Sequence, residues 1–152
     1  MPLGEYEEDK LVNLGTNRFT IRPQLGLEHW QGNWVFEVTG SIWFFTDNDD
    51  FFEGTKRTQD PLYAIQGHVV YNFKPGFWLS TGVGFGTGAR TTIDGVARSD
   101  KQNNSRVSMT LGLPVTRHQA IKLLYVKGRT KDIGGDFQRF AIAWSMMWGG
   151  GI

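Results

Sequence analysis

Arg18, Arg22, Glu28, Glu37, Gln66, His68, Asn72, Arg106, Lys122 and Arg139 share one phase of a two-residue alternation that runs through most of a 152-residue chain. A set of this kind can select solutes electrostatically along a passage, or can pair with itself and fill that passage. Arg18, Arg22, Glu37, Gln66, His68, Asn72, Arg106, Lys122 and Arg139 are therefore the candidates for solute contact. His68 reads as the histidine set inside a strand, with His29 and His118 at turns on the surface. No Ser and Asp stand around it at the spacing of a nucleophilic triad, so no enzyme activity and no catalytic residue are expected. A second group, Asp47, Asp49, Asp50 and Glu53 with Asp60, supplies the oxygens that calcium prefers. It lacks the glycine and terminal glutamate of an EF-hand, so it is read as a solvated extracellular loop pairing with Lys56 and Arg57, without a metal. Asp132-Ile-Gly-Gly-Asp136 reads as turn chemistry. Gly84-Phe-Gly-Thr-Gly88 has the composition of a phosphate loop, but its glycines alternate along a strand instead of opening a helix. They are expected to make room for bulky neighbours, and no cofactor is expected.

The elements that must carry these residues are strands. From Arg18, Phe19, Ile21, Pro23, Leu25 and Leu27 share one face, opposite Arg18, Thr20, Arg22, Gln24 and Glu28. Beyond the turn Gln31-Gly32-Asn33, Trp34, Phe36, Val38, Ile42 and Phe44 alternate with Glu37, Thr39 and Ser41. A polar loop is read from Thr46 to Gln59, then a strand with Tyr63, Ile65, Val69, Tyr71 and Phe73 on its apolar side. Lys74-Pro75-Gly76 turns into Phe77, Leu79, Val83 and Phe85, which alternate with Ser80 and glycines. A second long loop, Arg90 to Asn103, leads to Val107, Met109, Leu111 and Leu113. Ile121, Leu123 and Tyr125 mark a sixth strand, and Phe140, Ile142, Trp144, Met146 and Trp148 the seventh.

Seven strands of roughly ten residues suit a membrane crossing better than a globular sheet. Short and long connections alternate, as in outer-membrane barrels with tight periplasmic turns and larger extracellular loops. Aromatic residues gather at strand ends: Trp30, Trp34, Phe73, Phe77, Trp78 and Trp148 by the short turns, Trp43, Phe44, Phe45, Tyr63 and Phe137 by the long loops. Two interfacial girdles would be placed so. Alternation alone cannot say which face is inside, and a lipocalin-like barrel with an apolar lumen would show the same pattern. Sixteen Lys and Arg against fifteen Asp and Glu leave a formal charge of +1, no footprint for nucleic acid. There is no cysteine, which removes disulfides and thiolate metal sites.

The fold class expected is thus all-β, an antiparallel up-and-down transmembrane β-barrel in the bacterial outer membrane. Residues 1–17 would form an N-terminal loop or partial strand, and residues 18–152 the barrel strands and loops. Met1 to Lys10 has no basic n-region or apolar h-region, so a signal peptide and earlier strands are expected ahead of Met1 in a larger, natural barrel. Seven strands leave two open edges, which would close irregularly, recruit Leu11 to Gly15, or assemble with other chains. Outer-membrane lipid and a small-molecule solute are the partners implied.

Asn13-Leu-Gly-Thr-Asn-Arg18, Phe44-Phe-Thr-Asp-Asn-Asp-Asp-Phe-Phe52, Gln59-Asp-Pro-Leu-Tyr63, Asn104-Ser-Arg106 and Ile133-Gly-Gly-Asp-Phe137 occur in order. Together they resemble the outer-membrane family labelled for the meta-pathway of phenol degradation, from Asn13 to the end of the chain. The resemblance implies a porin-like transporter barrel for small compounds, aromatic or hydrophobic ones among them. The alternatives are a non-transporting structural or adhesive barrel and a soluble lipocalin-like ligand-binding barrel.

Overall fold

The computed structural model describes residues 4–10, 13–130 and 135–148, which form twelve strands joined by turns and loops. In chain order these are β1 (Thr20–Ile21), β2 (Gln24–Gln31), β3 (Trp34–Phe45), β4 (Asn48–Phe51), β5 (Thr55–Gln59) and β6 (Leu62–Lys74). There follow β7 (Phe77–Gly88), β8 (Thr91–Ile93), β9 (Val96–Ala97), β10 (Gln102–Pro114), β11 (Gln119–Thr130) and β12 (Gly135–Met146). The long strands make one antiparallel wall in the order β3, β6, β7, β10, β11, β12, with β1 and β2 both paired to the free side of β3. Those two are one strand interrupted at Arg22 and Pro23, where proline lacks an N–H for the ladder. The Pro23 carbonyl still accepts from Ile42 N at 3.1 Å, so the interruption leaves the edge attached. The wall therefore has the seven strands that alternation predicts. Its six uninterrupted strands are 12 or 13 residues long, enough to cross a bilayer at a tilt. Among the described residues no pairing joins β12 to β1 or β2, and the sheet is open.

Tight turns connect the wall on one side. At Lys74-Pro75-Gly76-Phe77 proline presets its own φ and Gly76 supplies a φ of +78°, which a side chain would resist. On the other side the two segments read as loops, Thr46 to Gln59 and Arg90 to Asn103, are not plain loops. Each contains a hairpin, and β4, β5, β8 and β9 form a second antiparallel sheet through the pairing of β5 with β8. Asn48, 2% exposed, is its hub. Its amide donates to the Tyr6 hydroxyl (3.0 Å) and the Thr16 carbonyl (3.3 Å), and its Oδ1 accepts from Asp50 N (3.1 Å) and Asn17 Nδ2 (3.2 Å). The segment before Arg18 is thereby tied to the loop sheet. Of the Leu11 to Gly15 stretch, residues 11 and 12 lie outside the described residues, as do residues 132–134 of the Asp132 to Asp136 turn.

The wall has no apolar core of its own. Val35 and Ala89 are the buried hydrophobic residues among those described, whereas Leu25, Leu27, Phe140 and Ile142 are each more than 70% exposed. Ser41, Ser80, Gly82, Gly84, Gly112 and Gly128 are buried, all on the opposite, polar face. The sheltered face is thus the polar one, the reverse of a lipocalin, and that alternative is set aside. The apolar side needs lipid to cover it.

The aromatic girdles need correction. Trp34, Tyr71, Phe73 and Phe77 do form a continuous ring cluster on the apolar face by the short turns. Centroids are 4.7 Å apart for Trp34–Tyr71, 4.9 Å for Tyr71–Phe73 and 4.7 Å for Phe73–Phe77. Trp30, Trp43, Phe45, Trp78 and Phe137, however, have the parity of the polar face: Trp30 pairs with Val35, Trp43 with Leu62, Trp78 with Gly112 and Phe137 with Gly128. Nearness to a strand end fixes height in the membrane, but the period-two alternation fixes the face. His29 is likewise no turn residue. It lies inside β2 on the apolar face, opposite Phe36, with ring centroids 6.5 Å apart.

Candidate functional site

Ladder register aligns the polar side chains into rows across the wall. One row runs Glu28, Glu37, His68, Gly82, Ser108, Val126, Arg139. The next, nearer the long loops, runs Gly26, Thr39, Gln66, Gly84, Arg106, Gly128, Phe137, and nearer the short turns Asn72, Trp78, Gly112, Lys122 and Ala143 share another. Arg18 and Arg22 flank β1 at the loop end. The nine candidate residues for solute contact therefore share one face, but at two heights. Arg18, Arg22, Gln66 and Arg106 sit toward the loops, and Glu37, His68, Asn72, Lys122 and Arg139 toward the turns.

The side chains on this face lie along the wall because glycines let them. A β-carbon added at Gly82 would run into the His68 ring, one at Gly112 into the Trp78 indole and one at Gly128 into Phe137. At Gly84 it would meet Arg106 Nε at 3.0 Å. In each case the glycine is the direct ladder partner of the large residue. The expectation that the glycines from Gly84 to Gly88 make room for bulky neighbours is met at Gly84, under Arg106, but not at Gly86 or Gly88, which face Ala64 and the Pro61–Leu62 backbone; the same device recurs at Gly82, Gly112 and Gly128. The consequence is a shallow face with two depressions, about 320 Å³ at the loop end and about 310 Å³ at the turn end.

In the loop-end depression Arg106 Nη2 donates to Gln66 Oε1 at 2.5 Å. Arg22 lies over the Trp43 ring at 4.0 Å and reaches Ser41 Oγ at 3.5 Å. Arg18 donates to Gln59 Oε1 at 2.5 Å and covers Phe45 at 4.7 Å. Burial and then the like charge of Arg57 pull the Arg18 guanidinium below its ordinary value, yet a guanidinium stays charged at neutral pH. The turn-end depression is lined by Glu28, Glu37 and His68, with His68 Nδ1 3.9 Å from Glu37 Oε2. Asn72 Nδ2 reaches the Asn33 carbonyl at 3.4 Å, and Lys122 stands 6.0 Å from the Trp78 ring centroid. Sequence reasoning missed the aromatic partners Trp43 and Phe45, although both are in phase with Ser41 and Glu37. Position near a strand end drew them into the girdle.

The acidic loop residues divide. Lys56 bridges Asp47 at 2.8 Å and Asp49 at 3.0 Å, and the hydrogen bonds it donates to these carboxylates raise its pKa. Arg57 instead covers Phe51 at 5.1 Å. Asp50 offers its carbonyl to the Tyr6 hydroxyl at 2.8 Å, and Glu53 N donates to the Glu8 carbonyl at 2.9 Å. Loop acids thus serve the second sheet.

The profile of a family described as "Putative MetA-pathway of phenol degradation" matches residues 1–143. The crystal structure of an outer membrane channel from Pseudomonas putida F1 superposes with a TM-score of 0.82 at 27% identity, over 95% of this chain and 54% of that one. The chain spans about half the length of that channel. No curated protein matches it. An all-β antiparallel wall of the outer-membrane barrel type, with its apolar face in the bacterial outer membrane, follows from the fold and this likeness together.

Proposed function

From a chain that belongs to the MetA-pathway of phenol degradation family, we propose a wall of an outer-membrane channel that passes small compounds, aromatic ones included, along its polar face. One observation carries the reading. His68, Trp78, Arg106 and Phe137 lie over ladder-partner glycines on the sheltered face, so that face stays low and open while the apolar face is exposed. A structural barrel with a self-filled interior has no need to clear its inner wall in this way. The structurally similar protein is itself an outer membrane channel, which supports the reading.

Two substitutions test it by insertion into liposomes and solute-driven swelling. Arg106→Ala should insert normally and change solute passage, because it removes a charge from the polar face. Leu111→Arg, on the apolar face, should fail to insert, since a cation against the hydrocarbon midplane costs about 2–4 kcal/mol. Equal behaviour of the two variants in both assays would refute the assignment of faces and the transport role.

A further inference from the structure

Resting on the channel reading, we propose that the loop-end depression is a selectivity subsite for small aromatic carboxylates, built by Arg22, Trp43, Arg106 and Phe137. It has the volume of a small-molecule site, about 320 Å³, at the lower end of the usual range and so suited to a single-ring solute. Among the described residues its lining holds two guanidiniums and no carboxylate. None of the ion pairs among the described residues uses either arginine. Arg106 is held by the neutral Gln66 amide, and Arg22 by a ring and a hydroxyl. Both are therefore held by neutral partners, with no carboxylate paired to them among the described residues, and a planar guanidinium receives a carboxylate through paired N–H donors. Trp43 and Phe137 supply ring faces and edges beside those charges, while Ala64, Gly84 and Gly86 keep the floor low.

The other depression differs in sign. Its ionisable lining is Glu28, Glu37 and His68, which disfavours an anion, so anion preference belongs to the loop end alone. Weak, localised binding of this kind lets a channel select and still release.

Single-channel recording in planar bilayers tests the subsite, with chloride as carrier and benzoate as probe. Benzoate should reduce the chloride current at concentrations where benzamide and benzylammonium do not, and cyclohexanecarboxylate should act more weakly than benzoate. Arg106→Gln and Arg22→Gln should each raise the half-blocking benzoate concentration about tenfold, the loss of one charge-assisted pair. Trp43→Leu should remove the advantage of benzoate over cyclohexanecarboxylate. Lys127→Gln, a cation on the apolar face opposite Val107, should leave all of these unchanged. A channel that conducts but treats benzoate and benzamide alike, or whose arginine variants block like the parent, overturns the subsite while leaving the channel reading intact. Folded, inserted protein with no conductance overturns the channel reading and the subsite with it.

Discussion

A methyl group at Gly112 would land in the Trp78 indole, whereas one at Gly40 would meet nothing within 4 Å. The two positions separate glycine required by packing from glycine that is merely tolerated. Gly112→Ala should destabilise the folded wall by about 1–3 kcal/mol, the usual penalty of overpacking. Gly40→Ala, outside such a contact, should stay within about 0.5 kcal/mol of the parent. Urea unfolding in lipid vesicles, followed by tryptophan fluorescence, measures both, and equal effects would mean that the ring over Gly112 moves aside freely. At this scale the sequence was partly legible. Alternating glycines opposite charged and aromatic residues announced that bulk would lie across them. Which bulk could not be read, because ladder partners depend on register, and register depends on turns and on the whole wall. The pairing of Arg22 with Trp43 was hidden for a related reason: the two residues sit on different strands.

Hairpins inside the long connections show what composition conceals. The segments from Thr46 and from Arg90 are polar enough to read as loops, yet Asp94-Gly95 and Glu53-Gly54 stand at their centres. Their φ values are 46° and 79°, and 57° and 74°; Asp94-Gly95 is the two-residue turn between Ile93 and Val96, and Glu53-Gly54 follows Phe52 in the three-residue loop between Phe51 and Thr55. The Asp-Gly dipeptide was a visible signal, while Glu-Gly is a weak one and the pairing of β5 with β8 is a tertiary event. Asp100 fastens this sheet: its Oδ1 accepts from Thr91 N at 2.8 Å, and Thr91 is 3% exposed. Burial alone would raise the Asp100 pKa, but the hydrogen bonds from Thr91 and from its own backbone N–H, with the charge of Arg57, together outweigh it and hold the carboxyl below its ordinary value. A depressed carboxylate stabilises the folded hairpin above its unfolded pKa and ceases to do so as pH falls through the folded one. The hairpin should therefore resist pepsin down to the ordinary aspartate range, about pH 4, and become cleavable only below it. Asp100→Ala should expose Arg98 to trypsin at neutral pH while the long strands remain protected. Resistance of the variant at Arg98 would show that the β5–β8 pairing holds the hairpin unaided.

Across the whole wall, the apolar band does not follow the hydrogen-bond rows. Leu27, Val38, Gly67, Val83, Val107, Lys127 and Gln138 are successive ladder partners on the apolar face, yet the row begins in aliphatic residues and ends in a cation and an amide. On β12 the apolar run starts only at Phe140 and continues to Met146, toward the short turns, while on β1 and β2 it ends at Leu27. Rows that enter the hydrocarbon at one end and leave it at the other are rows inclined to the membrane plane, as strands tilted by about 35–45° require. Alternation exposed the two faces strand by strand, but this slope emerges only when registers join the strands. It makes a prediction that an untilted wall would not share. Val38→Arg, at the middle of the band on β3, should cost about 2–4 kcal/mol of folding free energy in vesicles. Gln138→Arg, in the same row but at the loop-side interface, should cost about 0–1 kcal/mol. Chemical unfolding of both variants decides the matter, since equal penalties would place the row parallel to the membrane surface and remove the tilt.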